Sequence, residues 1–235
     1  MFKIAQSHSI EHALFEPHES VKNIHLLLFT SDRGLCGGFN NNVIKKTSAF
    51  LEEYKSSEAN IAMSFFGKRG YEFFHKRNCQ IKKYYKGVIN APGFECAAKV
   101  GKELIDEFLN SHVDEVYLLF SEFRSTISQV PVCQRLLPMA SDTLKQQASE
   151  TPFIFEPSPK EILDDLVIRS MKLTIFRSLL NSVTAEHAAR MTAMDSAANN
   201  CEDLVDKMTL QRNKARQAAI TKELMEIVSG AESLK

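Results

Sequence analysis

The chain has 235 residues, 44% of them hydrophobic and 25% charged, a composition that suits a folded globular protein and excludes a disordered one. Twenty-nine basic residues balance twenty-nine acidic ones, so no global field points to nucleic acid or to an anionic membrane surface as the main partner. Five cysteines at 36, 79, 96, 133 and 201 match neither a disulfide framework nor the paired ligands of a zinc or redox site, which predicts a reducing cytosolic compartment.

No apolar run approaches the roughly eighteen residues that cross a bilayer. His8, Glu11 and His12 leave no room for a signal-peptide core near the start. The expectation is a soluble chain, which leaves a seat on a membrane complex open.

Residues 1–20 form a short N-terminal segment. Its His8-Ser-Ile-Glu-His12 has the H-x-x-E-H spacing of some zinc peptidases, but it lies five residues before Pro17 with no third ligand on a following helix. It reads as a loosely packed terminus. Asn23 to Phe29 (NIHLLLF) is a short apolar run, stopped by Ser31-Asp32-Arg33-Gly34, and predicts a buried strand.

The glycine-rich stretch Ser31 to Asn40 (SDRGLCGGFN) follows that strand where a phosphate-cradling loop would lie. It has neither the Gly-Lys-Ser/Thr of a P-loop nor the G-x-G-x-x-G of a dinucleotide fold. Its expected roles are structural. Gly34, Gly37 and Gly38 would turn the backbone tightly, Asp32 and Arg33 would make local polar contacts, and Cys36 would be a small buried side chain.

Asn42 to Tyr54 then shows helical spacing, Asn60 to Phe66 (NIAMSFF) is a second strand, and Lys68 to Arg77 a short helix. Gln80 to Tyr85 predicts a strand, Ala97 to Leu109 a helix and Glu115 to Phe120 (EVYLLF) another strand. Ile127 to Leu137 follows too closely for a helical crossover and is expected to return antiparallel, at an edge because of Pro131. Residues 21–157 therefore predict a Rossmann-like α/β globular domain with a mixed sheet.

Residues 158–235 have a different grammar. Eight of the nine glycines lie at or before Gly101, and between Pro159 and Gly230 there is neither glycine nor proline. Ser158 as cap, Pro159 at the first helical position and Glu161 as the capping-box partner predict a helix start, with Gly230 as its stop. Such a helix extends roughly 110 Å, more than the rest of the chain could cover.

Leu166, Leu173, Leu180, Met194, Cys201, Met208 and Ala215 recur at seven or fourteen residues, and Ile162, Phe176, Val183, Ala197, Leu204, Ala218 and Met225 form a second row. Two such rows predict a coiled-coil seam, interrupted at His187, Arg190 and Gln211. Acid-before-base pairs at Asp165–Arg169, Glu186–Arg190 and Asp203–Lys207 support the helix. Arg212, Lys214, Arg216 and Lys222 make a basic cluster toward its end, followed by apolar Ile220, Leu224, Ile227 and Val228, a combination that suits a protein socket. From these patterns alone, a stand-alone α/β nucleotide-binding protein with a dimerising helix is the alternative reading.

SDRGLCGGFNNNVIKK at Ser31 to Lys46 and EHAARMTAMDSAANNCEDLVDKMTLQRNKARQAAITKELMEIVSGAESL at Glu186 to Leu234 closely resemble the signatures of the gamma subunit of bacterial F-type ATP synthases. GKRG at Gly67 to Gly70 and Arg135-Leu-Leu-Pro138 agree in order and spacing, so the resemblance covers about Val21 to Lys235. It implies a non-catalytic rotor without metal or cofactor. Its globular part would stand on the membrane c-ring and contact the epsilon subunit, while its shaft, half of an antiparallel coiled coil, would enter the ring of alpha and beta subunits at the cytoplasmic face of the inner membrane. By position, Arg216, Gln217 and Thr221 match residues that engage the beta-subunit catch loop, and Leu224, Ile227 and Val228 match the apolar tip in the hexamer's sleeve. The resemblance also implies that the family's long basic N-terminal helix is absent ahead of Met1, the expectation for a truncated, mis-started or non-functional gamma remnant.

Overall fold

The computed structural model describes residues 12–18, 20–56, 59–139, 156 and 158–233. Two compact units divide the chain, Met1–Met191 and Thr192–Lys235. The first holds five strands: β1 (Asn23–Phe29), β2 (Asn60–Phe66), β3 (Gln80–Tyr85), β4 (Glu115–Phe123) and β5 (Gln129–Leu137). Their helices are α1 (Phe39–Glu53), α2 (Lys68–His75) and α3 (Phe94–Leu109), and the last helix, α4 (Pro159–Glu232), begins in this unit.

The sheet order is β3-β2-β1-β4-β5. β1 pairs in parallel with β2 and β4, β2 with β3, while β4 and β5 are antiparallel, so the expected mixed sheet is present. Winding β1 to β3 in one direction and returning for β4 puts successive right-handed crossovers on opposite faces. β1 alternates accordingly. Ile24, Leu26 and Leu28 pack with Val43 and Phe50 of α1 and Phe74 of α2, whereas Leu27 and Phe29 pack with Val100, Leu104 and Phe108 of α3 and the first half of α4. Pro131 lies on the edge strand opposite Ser121, where its missing N–H costs no ladder bond.

Several boundaries differ from expectation for tertiary reasons. α1 starts at Phe39 and α3 at Phe94, each three residues before the predicted start, because Phe39 is buried against α4 and the Phe94 ring meets Phe176 edge-on at 5.7 Å. β4 continues to Phe123 because β5 pairs with it to that residue. Gly230 does not stop α4, which continues to Glu232; the Ser233 hydroxyl donates to the Gly230 carbonyl at 2.8 Å. At the other end, the Glu161 N–H donates to Ser158 Oγ at 3.3 Å, and the hydroxyl donates onward to the Glu161 carboxylate at 3.1 Å, a variant of the capping box.

The buried stripe of α4 is neither of the two heptad rows. Leu163, Val167, Met171, Ile175 and Leu179, each four residues after the last, are buried against the sheet and α3. Gly101 of α3 sits at the crossing, where an added Cβ would lie 3.1 Å from Lys172 Cγ. The row Ile162, Phe176, Val183 is half-buried at the margin, and Leu173 and Leu180 are exposed on the far side. Asp165–Arg169 and Glu186–Arg190 close at 3.5 and 2.7 Å.

The described part of the N-terminal segment is tied to this body. Leu14 is buried in the core and its carbonyl accepts the Met139 N–H at 2.9 Å. His12 takes the Leu14 N–H on Nδ1 and faces Asp164 with Nε2 at 3.5 Å, so both ring nitrogens are engaged, while His8 and Glu11 lie outside the described residues. Asp114 accepts from His18 and from the Lys22 and Asn23 N–H groups, which outweigh its burial and hold its carboxyl below the usual range.

A second polar cluster lies within the sheet. His25 is buried, with Nε2 2.8 Å from Ser64 Oγ and Nδ1 3.1 Å from Glu107 Oε2. Burial lowers its pKa, so Nδ1–H donates to the carboxylate and Nε2 accepts the serine hydroxyl. Burial opposes the Glu107 charge, but bonds from His25 and Lys82 prevail and hold that carboxyl at about 2.

Both shifts have one sign. Below pH about 6.5 the unfolded chain takes up a histidine proton that the folded chain refuses, and from about 4.3 down to about 2 it likewise protonates Glu107 first. Stability therefore falls as pH drops. Thermal melts of His25→Gln should show a shallower decline between pH 7 and 5 than the parent; an equal slope would refute a neutral buried His25.

A backbone contact carries a further prediction. Gly67 precedes α2 with φ +96°, and an added Cβ would lie 1.9 Å from the Thr30 carbonyl oxygen. Gly67→Ala should lose about 3 kcal/mol or more in urea unfolding, whereas Gly93→Ala, in open space, should change stability by about 0.5 kcal/mol or less.

Candidate functional site

In a doubly wound sheet, ligands bind beyond the carboxyl ends of the strands where the winding reverses. Here that point lies between β1 and β4. The Ser31 to Asn40 stretch leaves β1 there and folds on itself. Asn40 donates from Nδ2 to Ser31 Oγ at 2.7 Å and to Cys36 Sγ at 3.2 Å, and its Oδ1 accepts the Ser31 N–H at 3.0 Å. Of the three glycines only Gly37 has a left-handed backbone, shared by Leu35 with φ 60°. Gly34 and Gly38 instead serve close approach, to Arg69 and Asn42.

Asp32 ties the loop to its neighbours. One carboxylate oxygen accepts the Lys68 N–H at the start of α2, 2.9 Å away, and the other accepts from Asn90 Nδ2 at 2.9 Å. The carboxylate thus takes the place at the α2 N-terminus that a phosphate would seek. Thr30 adds an Oγ1 contact from the Gly70 N–H at 2.9 Å, which joins the glycine-rich stretch to the Gly67–Gly70 turn.

The chain's own helix packs on this loop. Ala185 and Ala189 of α4 are buried against Cys36 and Phe39, with Phe123 at the end of β4 beside them. Small side chains let the loop press on the helix backbone. Arg190 donates from Nη2 to Glu186 at 2.7 Å and reaches the Gly34 carbonyl at 3.4 Å. Cys36 is only 2% exposed, so it is a packed side chain and no accessible nucleophile. Beside the loop, a surface hollow of about 390 Å³ between α1 and α2 is rimmed by Arg69, Lys76 and Arg77.

In the second unit, α4 presents its side chains outward. Arg216, Gln217 and Thr221 are exposed, and the Thr221 hydroxyl donates back to the Gln217 carbonyl at 2.9 Å. Leu224, Ile227 and Val228 are also exposed. Gln217, Thr221, Leu224 and Val228 follow one another at three or four residues and share a strip, with Ile220 and Ile227 beside them and Arg216 at its flank. Met194, Leu204, Met208 and Met225 of the predicted seam are likewise open.

Sequence reasoning took Glu186 and Arg190 only as a helix-stabilising pair and an interruption of the seam. The signal for their contact was the cluster of alanines 185, 188 and 189 around them, too small for a heptad core and suited to a tight crossing. The row Leu163 to Leu179 was equally visible, at a strict spacing of four. Among the described residues no group of three or more His, Cys, Asp or Glu is arranged to hold a metal ion, and no helix is long and apolar enough to cross a membrane.

Comparison with known proteins agrees with this architecture. A family model described as ATP synthase matches residues 1–234. The ATP synthase gamma chain of Desulfosudis oleivorans is 45% identical over 231 residues, 94% of this chain and 78% of that one. That of Geobacter metallireducens is 45% identical over 210 residues, 89% and 73% of the two chains. Among solved structures, a chain of the Euglena gracilis mitochondrial ATP synthase (OSCP/F1/c-ring) superposes with a TM-score of 0.65 at 17% identity, covering 99% of this chain and 84% of that one. A chain of the Tetrahymena thermophila mitochondrial ATP synthase central stalk/c-ring gives 0.59 at 22% identity, with 83% and 85% covered. With a family match along almost its whole length and relatives at 45% identity, the chain belongs to the ATP synthase gamma chain family.

Proposed function

We propose that this chain is the central-stalk rotor of an F-type ATP synthase, a non-catalytic subunit that couples proton-driven rotation to ATP synthesis or hydrolysis at the beta-subunit sites. The observation that carries the reading, beside the family, is one uninterrupted helix of 74 residues docked over its first half and apolar but exposed over its second. An enzyme would use the crevice at the sheet's switch point for a ligand. This chain packs Ala185 and Ala189 of its own helix on the loop there, which suits a body built to hold a shaft.

In this reading residues 21–157 are the globular body and 158–235 the shaft. The body stands on the c-ring and contacts the epsilon subunit, peripheral to the cytoplasmic face of the bacterial membrane. The shaft supplies one strand of an antiparallel coiled coil through the open Leu173, Leu180, Met194 and Met208 face. Arg216 and Gln217, with Thr221 one turn on, engage the acidic catch loop of a beta subunit. Leu224, Ile227 and Val228 turn within the sleeve of the alpha and beta ring, where apolar side chains give a low-friction contact without directional bonds.

Because Arg216 and Gln217 are exposed, replacing both by alanine should leave the thermal stability of the isolated chain within about 0.5 kcal/mol. ATP turnover of the complex reconstituted with alpha and beta subunits should fall by roughly three- to tenfold through lost charge-assisted contacts. An unchanged turnover and an unchanged yield of complex would remove the catch-loop role. Calorimetry of the isolated chain with ATP should show no heat of binding.

A further inference from the structure

Torque along a single helix must be resisted where the helix is last held. Among the described residues, the last buried side chains of α4 are Ala185, Glu186, Ala188 and Ala189, and from Met191 onward almost every side chain is exposed. The apolar part of that last contact is Ala185 and Ala189 on Cys36 and Phe39. A directional contact stands beside it. Arg190 is held by buried Glu186 one turn back, at 2.7 Å, and turned onto the Gly34 carbonyl of the β1 loop.

We propose that Glu186, Arg190 and the Gly34 carbonyl form a torsional latch that fixes the rotational register of α4 on the globular body. The inference rests on the rotor reading and names two positioning residues for it. Glu186 sets the guanidinium, because the same Nη2 that donates to its carboxylate at 2.7 Å also reaches the Gly34 carbonyl at 3.4 Å. The carbonyl it reaches belongs to a loop that cannot yield. Ser31, Asn40 and Cys36 are bonded to each other, and Asp32 is bonded to the start of α2 and to Asn90. Rotation of α4 about its axis would carry Arg190 away from Gly34 together with Ala185 and Ala189 from Cys36 and Phe39. The latch therefore adds a directional contact to the packing of Leu163 to Leu179, at the last buried turn of the helix.

The test uses the full chain assembled with its alpha, beta and membrane subunits in inverted vesicles, comparing the parent with Arg190→Ala, Arg190→Lys and Glu186→Gln. Protons pumped per ATP hydrolysed should fall about threefold in Arg190→Ala with hydrolysis retained. Glu186→Gln should fall less, and Arg190→Lys should recover part of the loss because it keeps the charge without the fork. A parent ratio in Arg190→Ala would overturn the latch. Hydrogen–deuterium exchange on the isolated chain gives the second arm: amides 33–38 should exchange faster in Arg190→Ala, and parent-like protection there would also overturn it. If the parent chain itself does not assemble, the rotor reading fails, and exchange still decides the contact.

Discussion

Everything else in this molecule depends on the burial of one row of α4 side chains: Leu163, Val167, Met171, Ile175 and Leu179. Each contributes about 1.5–3 kcal/mol when moved from water into the layer between the sheet and α3. Together they anchor a helix that no local propensity could stabilise over seventy residues. The spacing has a geometric effect as well. A strict four-residue row advances about 40° per step around a helix of 3.6 residues per turn, so it parts from the heptad row beside it. The helix can thus dock on its own domain and still leave apolar side chains such as Leu173, Leu180, Met194 and Met208 exposed.

The same docking sets the loop after β1 of this doubly wound sheet against the chain's own helix. The loop after β1 has the glycine content of a phosphate site, and the sheet has the strand order of one. Asp32 caps the helix that would bind the anion, and the alanine face of α4 packs on the loop. A fold widely used for cofactor binding becomes a mount for a shaft through two local changes, a carboxylate at one helix start and small residues on another helix. Fold alone would have suggested the opposite function.

Much of this was legible in the sequence. Strands β1, β2 and β3 were bounded at the observed residues because uninterrupted apolar or alternating runs ended at turn residues, and Pro131 marked the edge. Residues whose position is set by distant partners were harder to read. Phe39 and Phe94 lengthen their helices because of α4, whose approach no local pattern announces. Gly230 looked like a stop, but a glycine ends a helix only if its backbone turns left-handed, and this one keeps the helical conformation. The heptad rows were correct as an apolar periodicity, yet they drew attention from the four-residue row that holds the body together. At the candidate site, Arg216 to Val228 owed their assignment to family resemblance, since their exposed strip on an isolated helix carries no chemistry by itself.

The placement of Gly230 has a mechanical meaning. A glycine within a helix is a point of extra compliance, because its backbone has more states to visit and no Cβ to restrict them. In a rod that carries twist, compliance in the middle would absorb strain before it reached the far end. This chain keeps every residue from Lys160 to Ser229 free of that weakness, and places its single soft point beyond Val228, past the last side chain of the exposed strip. Along the whole exposed strip the backbone thus has no glycine at which the helix could give way.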